Sequence, residues 1–287
     1  MAEWMEKHGN KKWMNIWVRL NKNKMAMVSL GVLIIFILLA LLAPVIAPQG
    51  YDDQNLADAF AYPCREHFLG TDNFGRDIFV RIIYGARIFL QIGLIAVGLA
   101  CVAGGIIGAV SAYYTKWDNL IMRIMNVFMA IPNLLLSIAI ATALGSGMKN
   151  LMIAVGITSI PQYARIMRAS VMTIKEQEYI EAARANGAGD IRILACHIIP
   201  NAFAPILVQA TLGVANAIIS AATLSFMGLG IQPPQPEWGS MLSTGRTYLQ
   251  SFWPMSVFPG LAIMLVVYAL NILGDGLRDA LDPRLKN

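Results

Sequence analysis

Long stretches of this sequence contain no charged residue. One runs from Met25 to Tyr51 and another from Ile88 to Thr115. A helix rises about 1.5 Å per residue, so roughly 20 apolar residues cross the hydrocarbon core of a bilayer. Each stretch is therefore long enough to cross a membrane as a helix. Charged residues make up only 14% of the chain and the mean hydropathy is +0.58, which excludes an ordinary soluble domain of this size.

Similar apolar segments recur along the chain and predict an all-α membrane protein with six transmembrane helices. The predicted spans lie within residues 25–48, 88–115, 120–144, 150–167, 201–227 and 255–273. The first span separates an N-terminal segment, 1–24, from a loop, 49–87. The other five spans form a core, 88–278, which a short tail, 279–287, follows.

The charges around these spans predict how the chain is oriented. The segment 1–24 is basic and, as a helix, would lay one apolar face on the bilayer, formed by Trp13, Ile16, Trp17 and Leu20. The loop 49–87 is rich in aspartate, so the positive-inside rule places it outside the cell. Six crossings return the tail to the side of segment 1–24. We therefore expect a multi-pass protein of the cell membrane with both termini in the cytoplasm.

Two predicted spans have helix faces of distinct composition. In the second span, small residues recur every four positions, at Ala96, Ala100, Gly104, Gly108 and Ala112, which predicts close packing against another helix. The fifth span has a similar small face at Gly213, Ala217, Ala221 and Ser225, and a polar face formed by Gln209, Asn216, Ser220 and Thr223. Unpaired polar groups are costly in lipid, so the polar face should point into the protein. It predicts either a substrate path or hydrogen bonds between helices.

Prolines interrupt two of the other predicted spans. Pro132 should bend the third span, on which Asn126, Asn133 and Ser137 are expected to share one face. Pro161 lies within the fourth span, whose uncharged core ends at Ala164. The fourth span is therefore the weakest of the six.

Residues 173–201 form a long polar stretch between apolar ones. Thr173 and Glu176 have the spacing of a capping box, which predicts a helix that begins there, and Asn186-Gly187 should end it. Asp190 is then expected to cap a second short helix, 191–199, before Pro200. A short helix with small apolar and charged residues exposed together suits the surface of another protein.

The same residues resemble the cytoplasmic EAA loop of ATP-binding-cassette (ABC) importer permeases. The match covers Glu181, Ala182, Ala183, Gly187, Ile198 and Pro200, with Ile199 where the family usually has leucine. In that family the loop is a coupling helix, which docks on an ATPase subunit and passes ATP-driven motion to the spans. The resemblance implies an ATPase-coupling site formed by Glu178, Glu181, Ala182, Ala183, Gly187 and Pro200. An ordinary amphipathic helix on the membrane surface is the alternative interpretation.

Two further segments resemble the peptide and nickel subfamily of these permeases. Residues 67–94, HFLGTDNFGRDIFVRIIYGARIFLQIGL, are similar to the segment before its second span, with Val80 where serine is usual. Residues 228–239, GLGIQPPQPEWG, are similar to the loop between its last two spans. Turn formation alone would also explain the glycines and aspartates of the first segment. The resemblance implies the second permease subunit of an importer for dipeptides or oligopeptides, and nickel or a metal chelate is the alternative cargo.

The resemblance also implies which partners the chain has. They are a second homologous permease, two cytoplasmic ATP-binding subunits and an extracellular solute-binding protein, assembled in the lipid bilayer. ATP would be bound by the ATPase subunits, so this chain would need no cofactor of its own. No partner among these is a nucleic acid, and the basic residues do not form the aromatic-interleaved stripe that nucleic acid binding favours.

The residues themselves supply neither an energy source nor catalytic machinery. The sequence has no G-x-x-x-x-G-K-[ST] loop for ATP and no acidic residue in the middle of a predicted span. His8, His67 and His197 have no Ser or Cys partner at a recognisable spacing, and the three cysteines show no metal-ligand spacing. We therefore expect neither an enzyme nor a metal site. Energy must come from a partner, or else the chain is an ATP-independent carrier.

Overall fold

The computed structural model describes residue 14 and residues 17–281. These residues form helices joined by loops, and no β-strand occurs among them. The α-helices are α1 (Lys24–Ile46), α2 (Ile78–Tyr113), α3 (Thr115–Ala130), α4 (Asn133–Leu144), α5 (Met148–Lys175), α6 (Glu178–Ala185), α7 (Asp190–Ile193), α8 (Ile199–Phe226), α9 (Trp238–Gly245) and α10 (Pro254–Leu281). A π-helical segment, Leu194–Ile198, joins α7 to α8. Of the predicted surface helix within 1–24, Trp13 and Ile16 lie outside the described residues. Residues 17–22 are helical, and Trp17 is exposed as expected, but Leu20 is buried in a cluster with Ala26 and Ala280 rather than facing the bilayer.

The described residues confirm an all-α membrane protein. Four helices are long and apolar enough to cross a membrane, namely α1, α2, α10 and the continuous helix from Asp190 to Phe226. The bent pair of α3 and α4 is a fifth candidate. Helix α5 has 28 residues, enough to cross at about 1.5 Å per residue, but it also carries Lys149, Arg165 and Arg168. Six crossings are compatible with this arrangement of helices.

The third predicted span is broken rather than bent. Helices α3 and α4 meet at an angle of 92°, with Ile131 and Pro132 between them. Proline has no backbone N–H and forces the preceding residue out of the helical region, and Ile131 is extended (φ −87°, ψ 129°). The predicted face shared by Asn126, Asn133 and Ser137 is therefore wrong, because Asn126 lies on the other helix.

Several helix boundaries differ from the sequence prediction. Helix α2 begins at Ile78 rather than at Ile88, because the carboxylate of Asp77 accepts the backbone N–H of Val80 and caps the helix. The predicted loop 49–87 therefore ends earlier. Helix α10 continues through the predicted end of the sixth span into the tail. The loop after α8, expected to lack structure, contains α9, whose Trp238 is fully buried.

The small residues predicted in the second span do pack closely against a helix. Helices α2 and α5 form the most extensive helix pair of the described chain. A Cβ atom added to Gly108 would lie 2.2 Å from the backbone oxygen of Ala164, and one added to Gly104 would lie 2.7 Å from that of Ile160. The backbones approach so closely that only glycine fits at these two positions.

The loop before α2 folds around buried ion pairs. The Arg76 Nε atom donates to Asp72 Oδ2 at 2.7 Å, and both side chains are buried. Arg81 lies 3.8 Å from the same carboxylate and donates to the Pro234 carbonyl at 3.3 Å. Because buried charges without partners are strongly destabilising, Asp72 holds both arginines in place. The loop is thereby fixed to the loop that follows α8.

Candidate coupling surface and substrate path

The first helix of the predicted coupling segment does not begin where the capping box predicted. Thr173 lies in the last turns of α5, where its hydroxyl donates to the Ala169 carbonyl at 3.2 Å. Helix α5 continues to Lys175 because Val171 is fully buried and the Lys175 ammonium donates to the carbonyl of Ala112. Helix α6 then begins after Gln177, which makes no side-chain capping bond. Tertiary packing here outweighs the local capping signal.

The end of this helix agrees with the prediction. Gly187 has a φ of +78°, which glycine adopts without strain. Its N–H donates to Arg184 at 3.0 Å, and the N–H of Ala188 donates to Ala183 at 3.1 Å. These two bonds define a Schellman motif. A Cβ at Gly187 would meet no atom within 4 Å, so a larger side chain there would project away from this chain.

Most of the predicted coupling residues lie together on an exposed surface. Ile180 is fully buried and anchors α6, which turns the opposite face of the helix outwards. Ala183 is half-buried, and the exposed members are Glu178, Glu181, Ala182, Gly187 and Pro200. Sequence reasoning missed Ile191, whose side chain is 80% exposed beside this surface. Ile191 could have been found from the sequence, because it is an apolar residue that follows Gly187 within the polar stretch 173–201.

The predicted second helix also differs. Gly189, not Asp190, is the N-cap of α7, and Asp190 is its first residue. The Asp190 carboxylate instead accepts a hydrogen bond of 2.6 Å from the hydroxyl of Tyr113, at the end of α2. Nor does the helix stop before Pro200, because the π-helical segment continues into α8. Pro200 lies in the first turn of α8, where a missing N–H costs little.

The polar face of α8 is only partly covered by the other described helices. Asn216 is exposed, and Gln209, Ser220 and Thr223 are partly exposed. The Thr223 hydroxyl is satisfied within its own helix, by the Ile219 carbonyl at 2.8 Å. Within the described residues, Asn216 therefore does not point into the fold as expected, while the other three side chains are partly buried. A role for these four residues in a substrate path remains a prediction.

One end of this face borders a cavity. Gln209 lines a space of about 570 Å³ between α5, α8 and the end of α10. Its other walls are mainly apolar and include Ile166, Val208, Leu212 and Arg278. The small-residue face of α8 packs inwards as predicted, since Ala217, Ala221 and Ser225 are buried. The small-residue face of α8 therefore packs in the core, whereas one end of the polar face borders the cavity.

The chain matches two family models. Residues 100–287 match the inner membrane component of binding-protein-dependent transport systems, and residues 11–63 match the N-terminal transmembrane domain of oligopeptide transport permease C. The chain belongs to the first of these families. The resemblance drawn from the EAA segment is thus confirmed.

Curated relatives cover nearly the whole length of this permease. It is 47% identical over 276 residues to the dipeptide transport system permease protein DppC of Alkalihalophilus pseudofirmus, covering 96% of this chain and 91% of that protein. It is 46% identical over 278 residues to the glutathione transport system permease protein GsiD of Escherichia coli, with the same coverage of 96% and 91%. The protein is therefore a permease subunit of an ABC importer.

A solved structure supports the fold. The inward-facing MetNI methionine ABC transporter superimposes with a TM-score of 0.57 at 19% identity, covering 70% of this permease and 97% of that chain. At this identity the likeness concerns the fold alone. The family and the relatives identify a multi-pass inner-membrane subunit of a transport system.

Proposed function

We propose that this permease imports small peptides, of the size of a dipeptide or of glutathione. Relatives that are 46–47% identical over most of the chain are named as dipeptide and glutathione permeases. The polar face of α8 carries amides and hydroxyls but no charge, a lining that suits peptide groups. Nickel or a metal chelate is the alternative cargo, and the described residues contain no cluster of His, Cys, Asp or Glu that could hold a metal ion.

In this proposal the chain works in a larger assembly. A second homologous permease covers the exposed face of α8, and two cytoplasmic ATP-binding subunits dock on the coupling surface. An extracellular solute-binding protein delivers the peptide, and both termini lie in the cytoplasm. The observation that carries the coupling site is the exposed face of α6, which buried Ile180 and the Schellman motif at Gly187 hold in place. ATP-driven closure of the ATPases would move this face and reorient the spans.

Gly187→Arg tests the coupling site, and the chain itself offers a matched control. Gly228, after α8, has a φ of +83°, no atom within 4 Å of an added Cβ, and the same pair of capping bonds, made by the N–H groups of Gly228 and Leu229. Both substitutions therefore impose a similar backbone strain, of about 1–2 kcal/mol. Gly228 follows the end of α8, a helix of 28 residues and about 42 Å in length at 1.5 Å per residue, whereas Gly187 lies before its start.

The assay uses proteoliposomes that contain the complete importer and labelled dipeptide, glutathione or a nickel chelate. We expect Gly187→Arg to lower ATP-driven peptide uptake at least tenfold, while Gly228→Arg stays within about twofold of the native chain. Equal losses would show that backbone strain, not docking, is responsible. Uptake that continues without ATP would instead identify a passive carrier, and uptake of the nickel chelate alone would refute the peptide cargo.

A further inference from the structure

Three consecutive residues at the end of α2 contact three different elements on the side of the coupling segment. The contacts are Ser111 Oγ to Asp118 Oδ1 of α3 at 2.5 Å, Lys175 Nζ of α5 to the Ala112 carbonyl at 2.9 Å, and Tyr113 Oη to Asp190 Oδ1 of α7 at 2.6 Å. Asp118 is held in turn by a bidentate pair with Arg168, at 2.6 and 2.5 Å. One helical turn thus joins α3, α5 and the coupling segment.

The hydroxyl of Tyr113 connects this turn to the coupling segment. It donates to Asp190, the first residue of α7, which follows α6 after a four-residue turn, 186–189. Hydrogen bonds to charged groups are shorter and stronger than those between neutral groups. One hydrogen bond therefore links the end of α2 to α7 and, through the short turn, to α6.

The backbone connections of the coupling segment are irregular at both ends. Two non-helical residues, Glu176 and Gln177, separate α5 from α6. At the other end, α7 reaches α8 only through the π-helical segment Leu194–Ile198, and π-helical turns interrupt the regular hydrogen bonding of a helix. Buried Ile180 and Ile193 attach the segment to the core, but apolar contacts are non-directional. The directional side-chain contacts include the 2.6 Å bond from the Tyr113 hydroxyl to Asp190, and a longer one of 3.4 Å from the Asn201 amide of α8 to the Tyr179 hydroxyl of α6.

We propose that Tyr113 is a positioning residue for energy coupling, through which movement of the coupling segment reaches α2 and, through Ser111 and Asp118, α3. This inference rests on the proposed function, because it concerns the same coupling surface. Tyr113 itself contacts neither substrate nor ATP in this scheme. It fixes the orientation of α6 and α7 relative to the spans, so that a displacement of α6 moves α2 with it.

Tyr113→Phe removes only the hydroxyl, and the neighbouring residue supplies a matched control. Tyr114 packs edge-on against Tyr113 at 5.1 Å, and its hydroxyl makes no hydrogen bond to any described residue. In proteoliposomes with the complete importer and labelled dipeptide or glutathione, we expect Tyr113→Phe to lower peptide transported per ATP hydrolysed about tenfold. Tyr114→Phe should keep the native ratio. The amount of ATPase that co-purifies and the peptide KM should not change.

Asp190 variants separate the hydrogen bond from a general loss of packing. Asp190→Asn keeps an acceptor oxygen and should lower the ratio by only about threefold, whereas Asp190→Ala should match Tyr113→Phe. A native ratio in Tyr113→Phe, or equal losses in Tyr113→Phe and Tyr114→Phe, would overturn the proposal. So would a loss fully explained by reduced assembly with the ATPase.

A second readout does not depend on the cargo. Hydrogen exchange of residues 178–193 in the purified complex should become about tenfold faster in Tyr113→Phe and stay native in Tyr114→Phe. Unchanged exchange would overturn the positioning role even if peptide uptake is confirmed. If the complex takes up neither dipeptide nor glutathione but exchange in Tyr113→Phe is still faster, the positioning role is upheld and only the proposed cargo is refuted.

Discussion

A methyl group at Gly108 of α2 has no room, whereas the same group at Gly98 meets only open space. At Gly108 the new Cβ would lie 2.2 Å from the Ala164 carbonyl oxygen, a backbone atom that cannot rotate away. At Gly98 no atom lies within 4 Å. Overpacking costs about 1–3 kcal/mol, while Gly→Ala in a helix interior otherwise gains about 0.5–1 kcal/mol. The helix-propensity gain is common to both positions, so Gly108→Ala should be less stable than Gly98→Ala by the overpacking cost alone, about 1–3 kcal/mol.

The comparison is made by thermal unfolding of the two variants in the same detergent. At about 2–4 °C per kcal/mol, we expect Gly108→Ala to unfold roughly 2–12 °C below Gly98→Ala. Gly98→Ala should unfold at or above the temperature of the native chain. Equal unfolding temperatures for the two variants would refute the close contact between α2 and α5, and with it the role of the small-residue face.

Two further predictions concern buried groups outside this helix pair. Burial raises the pKa of Glu237 from 4.5 to about 7, so the folded chain keeps a proton that the unfolded chain releases. The free energy of unfolding should then fall by about 3 kcal/mol in total as the pH rises from 4.5 to 7, and level off above pH 7. Glu237→Gln should abolish this pH dependence when unfolding is measured across that range. An unchanged pH dependence in the variant would refute the raised pKa of Glu237. Ile180→Ala should leave a cavity that destabilises the attachment of α6 by about 2–5 kcal/mol, seen as faster hydrogen exchange confined to 178–185. Exchange that stays native would show that Ile180 does not anchor the helix.

The parts of the site that local rules determine could be predicted from the sequence. Asn186-Gly187 ends α6 because a left-handed residue is needed there, and glycine supplies it whatever surrounds it. The small-residue face of α2 was predictable in the same way, since its spacing of four residues places it on one side of any helix. The EAA pattern also predicted which side chains of α6 are exposed, because no other described element packs over that face of the helix.

The parts that depend on distant contacts could not be predicted. Thr173 and Glu176 have the right spacing for a capping box, but the packing of Val171 and the bond from Lys175 to Ala112 carry α5 past them. The link between Tyr113 and Asp190 joins residues 77 positions apart, and neither lies in a motif that would pair them. The polar face of α8 was found by its spacing, but spacing does not show what covers it.

The right-angled corner between α3 and α4 limits where this part of the chain can lie. Each helix end leaves up to four backbone groups without a partner in its own helix, and the corner brings the carbonyls ending α3 next to the N–H groups beginning α4. Hydrocarbon offers these groups no hydrogen bonds, so a corner at membrane depth is tolerated only against protein or water. At that depth, lipid can contact the apolar sides of α3 and α4 but not the turn at Ile131 and Pro132.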